Sequence, residues 1–172
     1  MVAAYQSGAD LYLKALIFFM IPIIGFLIFN ARHPWRKKAS VFLGDAGSLS
    51  LALIIGWFAI QMAKMNEPVD IFPAVTIIWI MTVPIMDTFA IFFTRKKQGR
   101  SPFDADRLHL HYKLIDAGYT PSQATWIILA IAFVTGGIGY LGSHIGVPEY
   151  VLLYSWSAIL LGYTYYRIKL DA

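Results

Sequence analysis

The chain contains no cysteine. That excludes a disulfide framework and a thiolate metal centre together. It is also poor in charge: Asp, Glu, Lys and Arg make up 14% of its 172 residues, where a soluble domain carries about a quarter. The opening MVAAYQSGADLYLK lacks the basic leading segment of a secretory signal. There is no internal repeat and no low-complexity tract. What the chain has is apolar sequence, 58% of the total with mean hydropathy +0.61, gathered in long blocks rather than at amphipathic spacing. Such blocks specify an integral membrane protein whose partner is the lipid bilayer. A net charge of +4 would suit nucleic acid. The basic residues lie between the apolar blocks, however, where membrane topology accounts for them, and no nucleic-acid partner is expected.

A helix needs about 20 apolar residues to cross the hydrocarbon core. Five blocks qualify: Leu11–Asn30, Leu49–Ala63, Ile71–Phe93, Ala124–Ser143 and Tyr150–Ile168. The expected fold is therefore all-α, a single polytopic transmembrane domain of about five helices. The second block is short unless the turn before it enters the membrane. Pro22 and Pro84 fall inside blocks and each should kink its helix. Thr135, Gly139 and Ser143 recur every four residues, a spacing that lets another helix approach closely. Tyr150, Tyr154, Trp156, Tyr163, Tyr165 and Tyr166 read mostly as interfacial anchors. Positive charge sets the orientation. Arg32, Arg36, Lys37 and Lys38 follow the first block, Arg95, Lys96, Lys97, Arg100, Arg107 and Lys113 follow the third, and Arg167 and Lys169 end the chain. An outside N-terminus puts all twelve on one face, leaving Lys64 in an opposite loop and Lys14 in the first helix. Loops 31–48 and 94–123 are then cytoplasmic.

Two polar clusters carry candidate chemistry: Gly44-Asp45-Ala46-Gly47-Ser48 and the stretch GRSPFDADRLHLH, residues 99–111. They are expected to meet at the cytoplasmic face. Asp45 or Ser48 could simply cap the following helix. Yet Gly44 and Gly47 allow close backbone approach to a ligand, a helix N-terminus suits phosphate, and a nearby carboxylate can hold Mg²⁺. His109 and His111, two residues apart, share no face within a helix and do not form an obvious zinc pair. They can donate to phosphate oxygens or move a proton. Arg100 and Arg107 offer planar forks to phosphate or diphosphate, whereas the positive-inside rule alone would account for Arg95. Asp104 reads as a cap or an ion-pair partner, and for Asp106 structural and ligand roles are both open. Asp87 lies within a spanning block, where a carboxylate is costly. Its two readings are a functional group and a partner for an interfacial arginine.

The run NARHPWRKKASVFLGDAGSLSLALIIG, then PIMDT, then RKKQGRSPFDADRLHLHYKLIDAGYTPSQA, resembles the polyprenyl-phosphate N-acetylhexosamine-1-phosphate transferases, the MraY/WecA-like enzymes, and within them the WecA-like branch. The resemblance covers essentially the whole chain. It implies transfer of a sugar 1-phosphate from a UDP-N-acetylhexosamine to polyprenyl phosphate, with release of UMP, in cell-envelope polysaccharide synthesis. By the same implication Asp45 is a Mg²⁺ ligand, His109 and His111 engage the nucleotide-sugar diphosphate, Arg100 and Arg107 hold phosphates, and Asp87 is the acidic residue of a P-x-x-D-T helix. Two departures stand out. Tyr112 replaces the last histidine of the family's HxHH pattern. The family's paired aspartates and its Asn-x-x-Asn-x-x-Asp motif do not occur, so the chain is expected to be a C-terminal half, inactive alone. A separate N-terminal half or a second copy would complete it. The alternative is a non-catalytic subunit that binds lipid phosphate. A transporter is disfavoured, because Asp87 is the one ionisable group well inside a block and no paired discontinuous helices are evident.

Overall fold

The computed structural model describes residues 10–32, 38–64, 73–102, 104 and 107–171. These fall into two units, residues 1–72 and 73–172.

The first unit contains α1, Asp10–Asn30, and α2, Gly44–Lys64. α1 runs on through Pro22 as one helix. The Asn30 side chain closes the connection between the two: Oδ1 accepts from the Val41 N–H at 2.9 Å and from Ser40 N–H at 3.2 Å, and Nδ2 donates to the Val41 carbonyl at 2.6 Å. α2 begins at Gly44 rather than at the expected Leu49, so the GDAGS run is its first turn and not a preceding loop. Gly44 takes φ +69°, a conformation open to glycine at little steric cost. Those five residues and Lys64 at the other end bring α2 to 21, the length a span requires. An apolar cavity of about 230 Å³ lies between the helices, lined by Phe19, Pro22, Phe26, Gly47, Ser50 and Ile54 among others.

The second unit contains α3, Ala74–Ile80; α4, Thr82–Lys97; α5, Leu110–Asp116; α6, Pro121–His144; and α7, Glu149–Leu170. The third apolar block is thus two helices meeting at 71° across Met81. The bend was expected at Pro84, and Pro84 explains where it falls. Its ring would clash with the carbonyl of Ile80, four residues earlier, and it has no N–H to return there. Interrupting the helix at Met81 leaves Pro84 in the first turn of α4, where no intrahelical donor is needed.

Hydrogen bonds from neighbouring side chains hold the break. Thr82 Oγ1 donates to the Trp79 carbonyl at 2.6 Å and accepts from Trp156 Nε1 at 3.0 Å, while Trp79 Nε1 donates to the Leu152 carbonyl at 3.1 Å. These groups are buried with Val75, Leu152 and Leu160. The Trp79 carbonyl beside the break is therefore satisfied inside protein, the condition under which irregular backbone is tolerated at membrane depth. α6 packs against α3 across Gly139 and Ser143, and the Thr76 hydroxyl meets the Ser143 hydroxyl. α6 starts earlier than expected: Thr120 caps it in a reciprocal capping box with Gln123, and Pro121 takes the first position.

Among the described residues three helices are long and apolar enough to cross a membrane, and the bent pair makes a fourth. α7 has spanning length, 22 residues, with serines, tyrosines and terminal basic residues lowering its apolarity. Large apolar side chains face outward, among them Phe133, Trp126 and Leu161, as hydrocarbon surroundings allow.

A methyl group added at Gly139 would sit 2.3 Å from Trp79 Cβ, whereas one at Gly137 meets nothing within 4 Å. Gly139→Ala should therefore destabilise the protein in detergent by about 1–3 kcal/mol, and Gly137→Ala should leave the unfolding midpoint unchanged or raise it. Equal midpoints for the two variants would contradict this packing.

Candidate active site

The loop after α4 folds back along that helix. Gly99, at φ +69°, turns the chain, and Arg100 N–H returns to the Arg95 carbonyl at 2.9 Å. Arg95 is buried and donates to the Pro102 carbonyl. Its charge pins the loop instead of awaiting a ligand. This path brings Leu108, His109 and Leu110 beside Asp87 in the body of α4.

Asp87 receives two donors from that segment. Oδ2 lies 2.9 Å from His109 Nδ1, and Oδ1 accepts the Leu110 N–H at 2.9 Å. Leu110 is the first residue of α5, so Asp87 caps this short helix from another part of the chain. Arg167 Nη1 approaches Asp87 Oδ1 at 3.7 Å. The arginine-partner reading of Asp87 is met, and Asp87 also holds a histidine of the polar loop. With Nδ1 engaged, Nε2 is the ring nitrogen left for a ligand, and 46% of the His109 side chain is exposed.

His109 has an extended backbone at the helix start and His111 lies in the first turn. Their rings consequently stack, with centroids 5.8 Å apart and planes 18° apart. The expectation that the pair shares no face within a helix is not tested, because only His111 is helical. His111 also contacts the Tyr112 ring, 4.1 Å between centroids. Arg107 lies over Tyr112 at 4.9 Å and pairs with Asp116 at 2.8 Å. Arg100 pairs with Asp104 at 3.5 Å, the ion-pair role expected for Asp104. Asp106 lies outside the described residues.

Gly44, Asp45, Gly47 and Ser48 belong to the other unit. Asp45 is exposed in the first turn of α2, and Ser48 Oγ donates to the Asp45 carbonyl at 3.1 Å. A methyl group at Gly47 would reach Leu43 Cδ1 at 2.7 Å, so glycine lets that side chain fold over the helix start. No group of three His, Asp or Glu is gathered for a metal ion among the described residues. Mg²⁺ needs one or two carboxylates when phosphates and water complete its shell. An exposed Asp45 at a helix N-terminus fits that requirement.

Sequence reasoning counted Arg167 only as a topology charge, grouped Tyr163 with the interfacial anchors and passed over Asp171. Arg167 is 4% exposed. Its Nη2 donates to the Leu108 carbonyl, Nη1 to Tyr163 Oη at 2.8 Å, and Nε to Asp171 Oδ2 at 3.3 Å. Asp171 in turn accepts from Lys113 of α5 through Oδ1, and from Gln98 Nε2 through its carbonyl at 2.7 Å. The available signal was the Arg-x-x-x-Asp spacing at the end of the last helix, which puts two opposite charges on one face.

Residues 1–63 match the family described as glycosyl transferase family 4. The chain is 33% identical to an undecaprenyl-phosphate alpha-N-acetylglucosaminyl 1-phosphate transferase of Haemophilus influenzae, over 85% of this chain and 41% of the relative. Proteins of the same description from Yersinia pestis and Escherichia coli K12 are 35% and 37% identical. They align over 95% and 68% of this chain, and over 44% and 32% of their own lengths. The chain thus spans less than half the length of these curated relatives. No solved structure matches it.

Partial burial lowers the pKa of His111 below the ordinary 6.5, the neighbouring His109 lowers it further, and Asp87 opposes both. The fold favours the neutral ring. The stability this contributes is present above the unfolded-state value and is lost as the pH falls through the lowered one. An NMR titration should place the His111 midpoint below 6.5, and replacing His109 by Asn should move it upward. A midpoint at or above the ordinary value would contradict the arrangement.

Proposed function

The chain belongs to glycosyl transferase family 4, and on that premise we propose that it supplies the phosphate-handling residues of a membrane phosphotransferase. The reaction is transfer of N-acetylglucosamine 1-phosphate, or a close N-acetylhexosamine relative, from its UDP derivative to undecaprenyl phosphate. It serves cell-envelope polysaccharide synthesis at the cytoplasmic face of the inner membrane. An oxygen of the lipid phosphate forms a bond to the sugar-bearing phosphorus. The bond from that phosphorus to the bridging oxygen breaks, and UMP leaves with the electron pair. Phosphoryl transfer depends on positioning and on neutralising charge.

The single observation that carries this reading is the hydrogen bond from His109 Nδ1 to Asp87. It fixes the tautomer in which Nε2 of the neutral ring holds a lone pair. That nitrogen can take the proton of a lipid phosphate monoanion and then, as imidazolium beside Asp87, donate to phosphate oxygens. His111, stacked on His109, adds a second donor. Arg107, steadied by Tyr112 and Asp116, and Arg100 contribute positive charge toward the diphosphate. In the first unit, Asp45 would hold Mg²⁺, with Gly44, Gly47 and Ser48 shaping the helix start around it. The bound ion would offset the negative charge of the diphosphate. The apolar cavity that reaches Gly47 and Ser50 suits part of an isoprenoid chain.

The test joins this chain to the part of the Haemophilus influenzae relative that the alignment does not cover. UMP release is then measured with UDP-N-acetylglucosamine, undecaprenyl phosphate and Mg²⁺. Release is expected, and Asp45→Asn or His109→Asn should reduce it by about 100-fold or more. Unaltered release in both variants would refute the assignment. Binding of undecaprenyl phosphate with no release of UMP would instead make the chain a non-catalytic subunit.

A further inference from the structure

We infer that Arg167 is a positioning residue for His109, holding it through the backbone on one side while Asp87 holds it on the other. Three consecutive residues are fixed by the pair. Arg167 takes the Leu108 carbonyl, Asp87 takes the His109 ring at Nδ1, and Asp87 also takes the Leu110 N–H. The peptide entering His109, the ring itself and the peptide leaving it each have a partner outside the loop. The extended backbone of His109, φ −58° and ψ 147°, is thereby determined by groups on α4 and α7.

Neutralising Asp87 is not a sufficient account of Arg167. The approach to Asp87, 3.7 Å, is the longest contact the guanidinium makes, and Asp171 also balances its charge. The nearer contacts run to Leu108, Tyr163 and Asp171. They use Nε, Nη1 and Nη2 in one plane, which a lysine ammonium on a flexible stem does not reproduce. At 4% exposure no water is at hand to replace the missing donors. Asp171 completes the device. It orients Arg167 through Oδ2 and, through Lys113, ties down α5, which carries His111. The end of α7 therefore acts on the histidine pair without touching a ligand itself.

The inference rests on the transferase reading for why the ring must be aimed, but its main test needs no turnover. The full chain, uniformly ¹⁵N-labelled, is examined by NMR in lipid nanodiscs. The wild type is expected to show the Nδ1–H tautomer at His109 and a protected Leu110 amide. Arg167→Lys keeps the charge and loses the fork. It should shift His109 toward a tautomer mixture and speed exchange at Leu110 by about tenfold, with the Trp79 and Trp156 indole signals unmoved. A wild-type tautomer and wild-type Leu110 exchange in this variant would overturn the proposal. Should Arg167→Lys lose the indole signals, and with them the fold, Asp171→Asn decides by the same two readouts. In the joined transferase, Arg167→Lys should lower kcat by about tenfold with KM little changed. Absence of UMP release by the unsubstituted protein would count against the transferase reading and leave the NMR result standing.

Discussion

The second unit depends on a carboxylate that would be costly in an apolar helix were it not shared. Asp87, in the body of α4, has the His109 ring and the Leu110 N–H on one side and Arg167 on the other. Charge at that depth is tolerated when it is paired and hydrogen-bonded. The same contacts that make Asp87 affordable bring a polar loop, a short helix and the end of α7 to one place. Cost and proposed function have one origin here, since the partner that compensates the carboxylate is the imidazole proposed to act on phosphate.

The broken third span is a second example of the same economy. Pro84 forces an interruption, and the interruption exposes backbone groups. Thr82 satisfies one of them, the Trp79 carbonyl, and the bonds from Trp156 to Thr82 and from Trp79 to Leu152 fasten α3 and α4 to α7. Individual interhelical hydrogen bonds in membranes contribute only about 0.6 kcal/mol on average. Several of them converging on one break, beside a core of Val75, Leu152 and Leu160, fix the direction of α4. That direction places Asp87 where the returning loop can reach it.

Much of this was legible in the sequence because membrane proteins write their architecture in apolar length and charge asymmetry. The helical class, the close-approach stripe at Gly139 and the unusual status of Asp87 all follow from one-dimensional patterns. Helix starts were less legible. The GDAGS run looks like a turn because glycine and aspartate favour turns, yet its single left-handed residue, Gly44, is all the turn that α2 needs. The Thr120 capping box was readable from Thr-x-x-Gln and was passed over in favour of the apolar edge at Ala124. Arg167 was not legible as a site residue, because a basic residue after an apolar block has a sufficient explanation in topology. Only tertiary contact distinguishes a charge that orients a helix in the bilayer from one that holds a loop.

The central claim is that the Asp87 contact presents His109 to a diphosphate through Nε2. The most direct measurement is a solid-state NMR distance between the two ¹⁵N nuclei of His109 and the ³¹P nuclei of UDP-N-acetylglucosamine, bound to the joined transferase in lipid. The account predicts dipolar contact at Nε2 at about 4 Å, the separation set by a hydrogen bond to a phosphate oxygen, and none at Nδ1. Contact at Nδ1, or at neither nitrogen with the nucleotide sugar bound, would contradict it.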